Sequence, residues 1–204
     1  MPKQLNPLTM LLIGLVILGG CAPSPDAPEQ PTTALELAAQ EEIDPTDTPD
    51  DDTEEEAAMT MSLTSPAFNN GEAIPTQYSC DGEDLSPDLD WFGIPQGTQS
   101  LALIMDDPDA PVGTWVHWVL YNIPADKPGL RTGITGVGLD GTNSWGSTGY
   151  GGPCPPGGTH RYFFKLYALD MMLDLNTGAK KQALLAALEG HILAQAELMG
   201  TFTR

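Results

Sequence analysis

The chain has 204 residues, with 28 Asp or Glu against 8 Lys or Arg and a net charge of −20. No basic patch interrupts that acidity, which argues against the phosphate backbone of a nucleic acid as a partner. No internal repeat is visible, and the charge is divided unevenly along the chain.

Residues 1–20 join a weakly basic start (the amino terminus and Lys3) to the apolar run LLIGLVIL, which is too short to span a bilayer comfortably. That layout predicts a secretory signal peptide rather than a transmembrane helix. Leu18-Gly19-Gly20-Cys21 resembles the lipobox of bacterial lipoproteins. Small residues before a cysteine suit cleavage and lipidation of the new N-terminal Cys21. Several acyl chains such as palmitate, at about 0.8 kcal/mol per CH₂, anchor firmly where one chain is marginal. Ala22, rather than Asp, follows the cysteine, which in a two-membrane bacterium permits outer-membrane sorting. The expectation is a lipid-anchored, extracytoplasmic protein of the bacterial envelope, at the outer membrane or cell surface.

Residues 21–60 form a different kind of polymer. Residues 22–60 hold thirteen acids, no Lys or Arg, and prolines at 23, 25, 28, 31, 45 and 49. Such a segment buries too little apolar surface to offset its ordering entropy, and like charges extend it. It is expected to be an acidic disordered tether that spans roughly 35 Å as a coil; a docking tail for a basic partner is the alternative. Residues 61–204 carry fifteen acids against seven bases, a net charge of −8. Their length suits one domain with its own core.

Within that domain, MSLTSPAF (61–68) reads as a short edge strand, since Pro66 cannot donate to a ladder. SLALIMDD (100–107) and WVHWVLYNIP (115–124) read as strands rich in β-branched and aromatic residues. Strict alternation in the second places Trp115, His117 and Val119 on one face and Trp118 and Leu120 on the other. Residues 125–160 lack periodicity, and so long a loop is expected to build a site or a lid. RYFFKLYALD (161–170) is apolar on both faces, so it is expected to be a central strand. Residues 178–200 read as a C-terminal helical segment, with Leu184, Leu185, Leu188 and Ile192 at three- and four-residue spacing and Gly190 as an interruption. The predicted class is mainly β and antiparallel, closed by that helix.

Three segments carry candidate chemistry. MDDPDAP (105–111) is a strand running into a turn stiffened by its prolines, with Asp107 and Asp109 on either side of Pro108. TWVHWVLYN (114–122) supplies His117, and YGGPCPPGGTHRY (150–162) supplies His160 and Tyr162. A histidine beside a carboxylate favours its cationic form and becomes an anion receptor. Two histidines, an acid, a phenol and free amides of a Gly-rich loop could cradle one phosphate-sized group. Asp109 is better placed to cap its turn or pair with Arg161.

DPDAP, WVHW and GPCPPGGTHRY, in that order, resemble the signature elements of the phosphatidylethanolamine-binding protein family, in particular its bacterial Raf-kinase-inhibitor-like branch. YSCDGEDLSPDLDW (78–91), LYNIPAD (120–126) and GHILAQAELMGTF (190–202) share the likeness, which covers 61–204. The resemblance implies a β-sandwich-like fold with a shallow anion pocket. By position, Asp107, His117, His160 and Tyr162 match the pocket's acid, histidines and tyrosine. Pro111 and Trp115 match its wall, and Gly152, Cys154 and Pro155 its backbone rim. Where bacterial relatives read Asn-Asp-Phe-Gly-Lys, this chain has Asn143-Ser144-Trp145-Gly146-Ser147, which alters the charge of the rim.

With Cys21 lipidated, Cys80 and Cys154 remain. Outside the cytoplasm such a pair invites a disulfide, but two cysteines fix no geometry, and bonded and free states both stand. A Cys154–His160 nucleophile pair can be drawn, yet there is no GxSxG elbow and no P-loop. No metal-ligand motif supports a metal at Asp107, His117 and His160, and no cofactor is implied. The reading is a non-catalytic binding protein for a phosphate or for a phosphorylated or zwitterionic head group, with Asp107 available to an ammonium. A kinase or protease inhibitor, regulated through the same pocket, is the alternative.

Overall fold

The computed structural model of the protein describes residues 60–204. The expected signal peptide, Cys21 and the expected tether as far as residue 59 lie outside the described residues. Two antiparallel sheets form the domain. The smaller has the order β1-β2-β5, from Ser62–Thr64, Leu89–Phe92 and Gly129–Leu130. The larger has the order β6-β4-β3-β7-β8, from Leu139–Asp140, Trp115–Pro124, Ser100–Asp107, Thr159–Leu169 and Ile192–Thr203. One helix, α1 (Lys181–Leu188), joins β7 to β8. The sheets are not closed into a barrel.

The core explains the layering. Leu63, Leu89, Trp91 and Leu130 of the small sheet pack with Leu101, Leu103, Met105, Trp118, Tyr162, Phe164 and Leu166 of the large one. On the opposite face of the large sheet, Ala102, Ile104, Val119, Tyr121 and Leu169 pack with Leu184 and Leu188 of α1. The large sheet is therefore covered on both sides, and β3, at its centre, is buried at every residue. This is why its sequence is continuously apolar from Leu101 to Met105, before the two terminal aspartates. The predicted mainly β, sandwich-like class is the observed one.

The helix is shorter than the sequence suggests. It stops at Leu188, Gly190 follows in the left-handed region at φ +79°, and residues from Ile192 onward form β8. A glycine there ends the helix without the penalty a Cβ would meet. Beyond it the burial period changes from helix to strand, with Ala194, Ala196, Leu198 and Phe202 facing the main core. β8 pairs with β7 from Thr159–Thr203 to Leu169–Ile192. Gly200 is required along that run, because a Cβ would lie 2.5 Å from Ile74 Cγ1. Ile192, expected on the helix, is exposed on β8, and His191 sits in the turn with its Nδ1 2.9 Å from Asp170 Oδ1.

Candidate functional site

The ends of three neighbouring strands meet at one edge of the large sheet: the last residue of β3 and the first residues of β4 and β7. Asp107, at the end of β3, is buried, and both of its oxygens are engaged. Oδ1 accepts the Asp109 amide at 2.8 Å, which tightens the turn, and Oδ2 accepts His160 Nδ1–H at 2.7 Å. A carboxylate on Nδ1 fixes the His160 ring and leaves Nε2 for the cavity it lines. Asp107 thus holds both the turn and His160 while it lines the cavity.

His117 reaches the same place through a β-bulge. Met105 pairs with Trp118 and Asp106 with Val116, so His117 is the extra residue on β4. A bulge re-aims the side chain it carries. Val119 faces α1, but His117 turns to the other side and meets Tyr162 edge-on at 5.1 Å between ring centroids. The alternation expected from sequence is broken at this residue. His117 Nδ1 lies 2.7 Å from the Gly151 carbonyl and donates to it. Burial pushes its pKa below the ordinary imidazole value, more strongly than the Gly151 carbonyl and Asp107 raise it. His117 is therefore a neutral ring with Nε2 as an acceptor, rather than the cation expected beside a carboxylate.

Trp145, on the long loop, completes the wall. It stands edge-on to His117 at 5.0 Å and to Trp115 at 5.4 Å, and is 48% exposed. Gly151 makes room for it, since a Cβ there would lie 2.9 Å from Trp145 Cζ3. Sequence reasoning noted Trp145 only as a departure in the rim motif. An aromatic side chain amid Ser and Gly was the available signal.

Together these residues enclose a cavity of about 190 Å³, lined by Asp107, Pro111, Trp115, His117, Cys154, Pro155 and His160 from the predicted set, and by Ala110, Val112, Trp145 and Pro156 besides. Two predicted residues do not line it. Tyr162 lies fully buried behind His117. Gly152 is drawn away because its amide donates to Asp84 Oδ1 at 2.6 Å. The Gly-rich loop is also less open to an anion than expected. The Gly151 amide donates to the His117 carbonyl and the Gly158 amide to the Arg204 carbonyl, because a loop packed this closely must pair its own amides.

Two buried side-chain polar atoms among the described residues lack a partner: Trp115 Nε1 and Tyr162 Oη. Leaving such a group unpaired costs about 1–3 kcal/mol, and both belong to residues assigned to the site from sequence. Burial raises the Tyr162 pKa well above the usual phenol value, with Asp107 and Asp109 adding to it. The nearby Cys154 amide, which makes no hydrogen bond to the phenol, opposes that rise. The group is a neutral hydroxyl.

The surrounding frame is covalent and ionic. Cys80 and Cys154 form a disulfide, with S–S 2.08 Å and Cα–Cα 5.4 Å. Asp109 pairs with Arg161 at 2.7 Å and 2.9 Å, and hydrogen bonds from Arg161 hold its carboxyl down to about 2. Asp106, buried on the other face of β3, is held by Lys165 and Lys181. A larger cavity of about 690 Å³ runs beside α1 and contains none of the predicted residues.

Residues 64–203 match the family described as phosphatidylethanolamine-binding protein. A UPF0098 protein of Methanothermobacter thermautotrophicus is 51% identical over 150 residues, which is 71% of this chain and 99% of that protein. A UPF0098 protein of Aquifex aeolicus is 46% identical over 153 residues, covering 71% and 89%. Among solved structures, CT736 of Chlamydia trachomatis, described as a phosphatidylethanolamine-binding protein homolog, superposes with a TM-score of 0.70 at 44% identity, covering 72% of this chain and 99% of that one. E. coli YbcL, described as a member of the mammalian family, gives a TM-score of 0.66 at 31% identity, covering 71% and 98%. With a domain-length family match and close relatives of the same fold, the chain belongs to the phosphatidylethanolamine-binding protein family.

Proposed function

We propose that this protein is a non-catalytic binding protein that holds a phosphate-sized anionic group, free or as part of a zwitterionic head group, in the cavity between His117 and His160. The observation that carries this reading is the buried, unpartnered Nε1–H of Trp115, a residue that lines the same cavity as the Asp107-oriented His160. Its volume is small beside drug-sized sites of roughly 300–1,000 Å³ and suits one phosphoryl group. The nucleophile that could be drawn from sequence, Cys154, is tied into a disulfide, which supports binding over catalysis. An extracytoplasmic location fits the same bond, and Cys21 would fix the protein to a bacterial envelope membrane by lipid. A protein-interaction module of the Raf-kinase-inhibitor-like kind is the second reading. It is favoured by the exposed apolar rim residues Val112 (77%) and Trp145 (48%).

Calorimetry on the full chain tests the proposal. Phosphoethanolamine or ethyl phosphate should bind, and His160→Ala should weaken binding at least about tenfold, or about 1.4 kcal/mol. Trp115→Phe, which removes the indole N–H together with one of its two rings, should weaken it several-fold. Binding untouched by either change would overturn the reading. If His117→Ala abolishes small-ligand binding while capture of a protein partner survives, the interaction module gains.

A further inference from the structure

A cavity of about 350 Å³ beside the long loop is lined by both halves of the disulfide, Cys80 and Cys154. Cys80 is exposed and Cys154 half-buried, so the bond is presented to solvent rather than sealed in a core. The two sulfurs are not equivalent. Arg204 Nη1 lies 3.4 Å from Cys154 Sγ and 3.8 Å from Cys80 Sγ. The guanidinium is anchored there. Asp81 takes Nη2 at 3.1 Å and leaves Nη1 to the sulfurs. The Arg204 amide donates to the Gly158 carbonyl at 3.1 Å, and the Gly158 amide donates back at 3.0 Å. A fixed cation beside a sulfur favours its thiolate. In thiol–disulfide exchange the attacked sulfur must be accessible, and the sulfur that forms the more stable thiolate leaves faster. Exposure marks Cys80 as the sulfur attacked, and Arg204 marks Cys154 as the one that leaves. A bond that only braces the fold requires neither feature.

We propose that Cys80 is a modification site for low-molecular-weight thiols, with Cys154 as its leaving group. The step balances without a further reactant. A thiolate attacks Cys80 Sγ, the Cys80–Cys154 bond breaks, and its electron pair leaves on Cys154 Sγ beside Arg204. A new S–S bond joins the incoming sulfur to Cys80. The incoming sulfur is oxidised, Cys154 is reduced, and the proton given up by the thiol returns to Cys154 through solvent. The recess at the bond suits a small thiol better than one carried on a protein surface. The product frees Cys154 from residue 80 and leaves the loop held there by hydrogen bonds. These run from the Cys80 amide to the Pro153 carbonyl at 3.1 Å, from the Gly152 amide to Asp84 Oδ1 at 2.6 Å and from the Tyr150 hydroxyl to the Tyr78 carbonyl at 2.7 Å. The site is independent of the anion reading of the cavity between His117 and His160.

The test treats the full chain with excess 2-mercaptoethanol at mildly alkaline pH and quenches with acid at short times. Peptide mass spectrometry then locates the adduct, with Cys21 in a peptide of its own. The adduct should sit on Cys80 with Cys154 free, in about tenfold excess over the reverse arrangement. Arg204→Gln should slow loss of the native bond about three- to fivefold, because the leaving thiolate lacks its cation. Arg204→Lys should retain most of the wild-type rate. An adduct on Cys154, an even split between the two cysteines, or a wild-type rate in Arg204→Gln overturns the proposal. If Arg204→Gln melts well below the wild type with its bond intact, the adduct position in the wild type decides alone: Cys80 upholds the site, and Cys154 or an even split overturns it. None of these outcomes bears on the anion cavity.

Discussion

The two histidines of the site illustrate how one residue type acquires two roles from its hydrogen-bond partner. His160 has a carboxylate on Nδ1, and His117 has a carbonyl in the same position within a more desolvating setting. The His117 shift has a consequence for stability. The unfolded chain takes up a proton at the ordinary value of 6.5, while the folded ring, lowered by burial, resists it. Stability from this group is fully present above that pH and is lost as the pH falls from there toward the folded-state value. His117→Gln should flatten that slope in denaturant melts below pH 6.5, while the slope from the carboxylates at lower pH remains. The positions of Asp107, His117 and His160 were legible through the family motifs. Their pairing was not, because neither which histidine Asp107 takes nor which carbonyl His117 finds is written in local spacing.

At the scale of elements, legibility followed the source of each signal. The three long strands were readable because β-branched and aromatic runs bounded by Gly and Pro leave few alternatives. β8 was not, since its first half, ILAQAEL (192–198), is made mostly of good helix formers and its strand state comes from pairing with β7. The split at Gly190 is testable. Gly190→Ala puts a Cβ at φ +79° and should cost about 1–2 kcal/mol. Leu184→Ala, at a side chain with no exposure, should cost about 2–5 kcal/mol, whereas Leu185→Ala, at 38% exposure, should cost far less. Equal losses from the two leucines would contradict the observed face of α1. The bulge at His117 had no sequence signal either. Strict alternation sends that ring toward α1, and one extra residue in register sends it to the cavity.

For the whole molecule, the site depends on parts distant in the chain: a turn after β3, the start of β4, the start of β7, and a loop stapled to residue 80. The disulfide spans a separation of 74 residues, and the chain-entropy account of such a loop gives about 4 kcal/mol. Reduction should therefore lower the melting temperature by many degrees and weaken ligand binding, since Cys154 borders both cavities. Unchanged binding after full reduction would show that the cavity walls hold without the staple. By itself, the sequence determined the class of the domain, its family and the identity of most of the residues that meet in the cavity. These follow from side-chain chemistry and from motifs whose residues lie within a few positions of one another. Tertiary structure alone decided the length of α1, the strand that follows it, the turning of His117, the pairing of Asp107 with His160 and the place of Trp145. Each of those is set by contacts between segments far apart in the chain, which no local pattern of residues encodes.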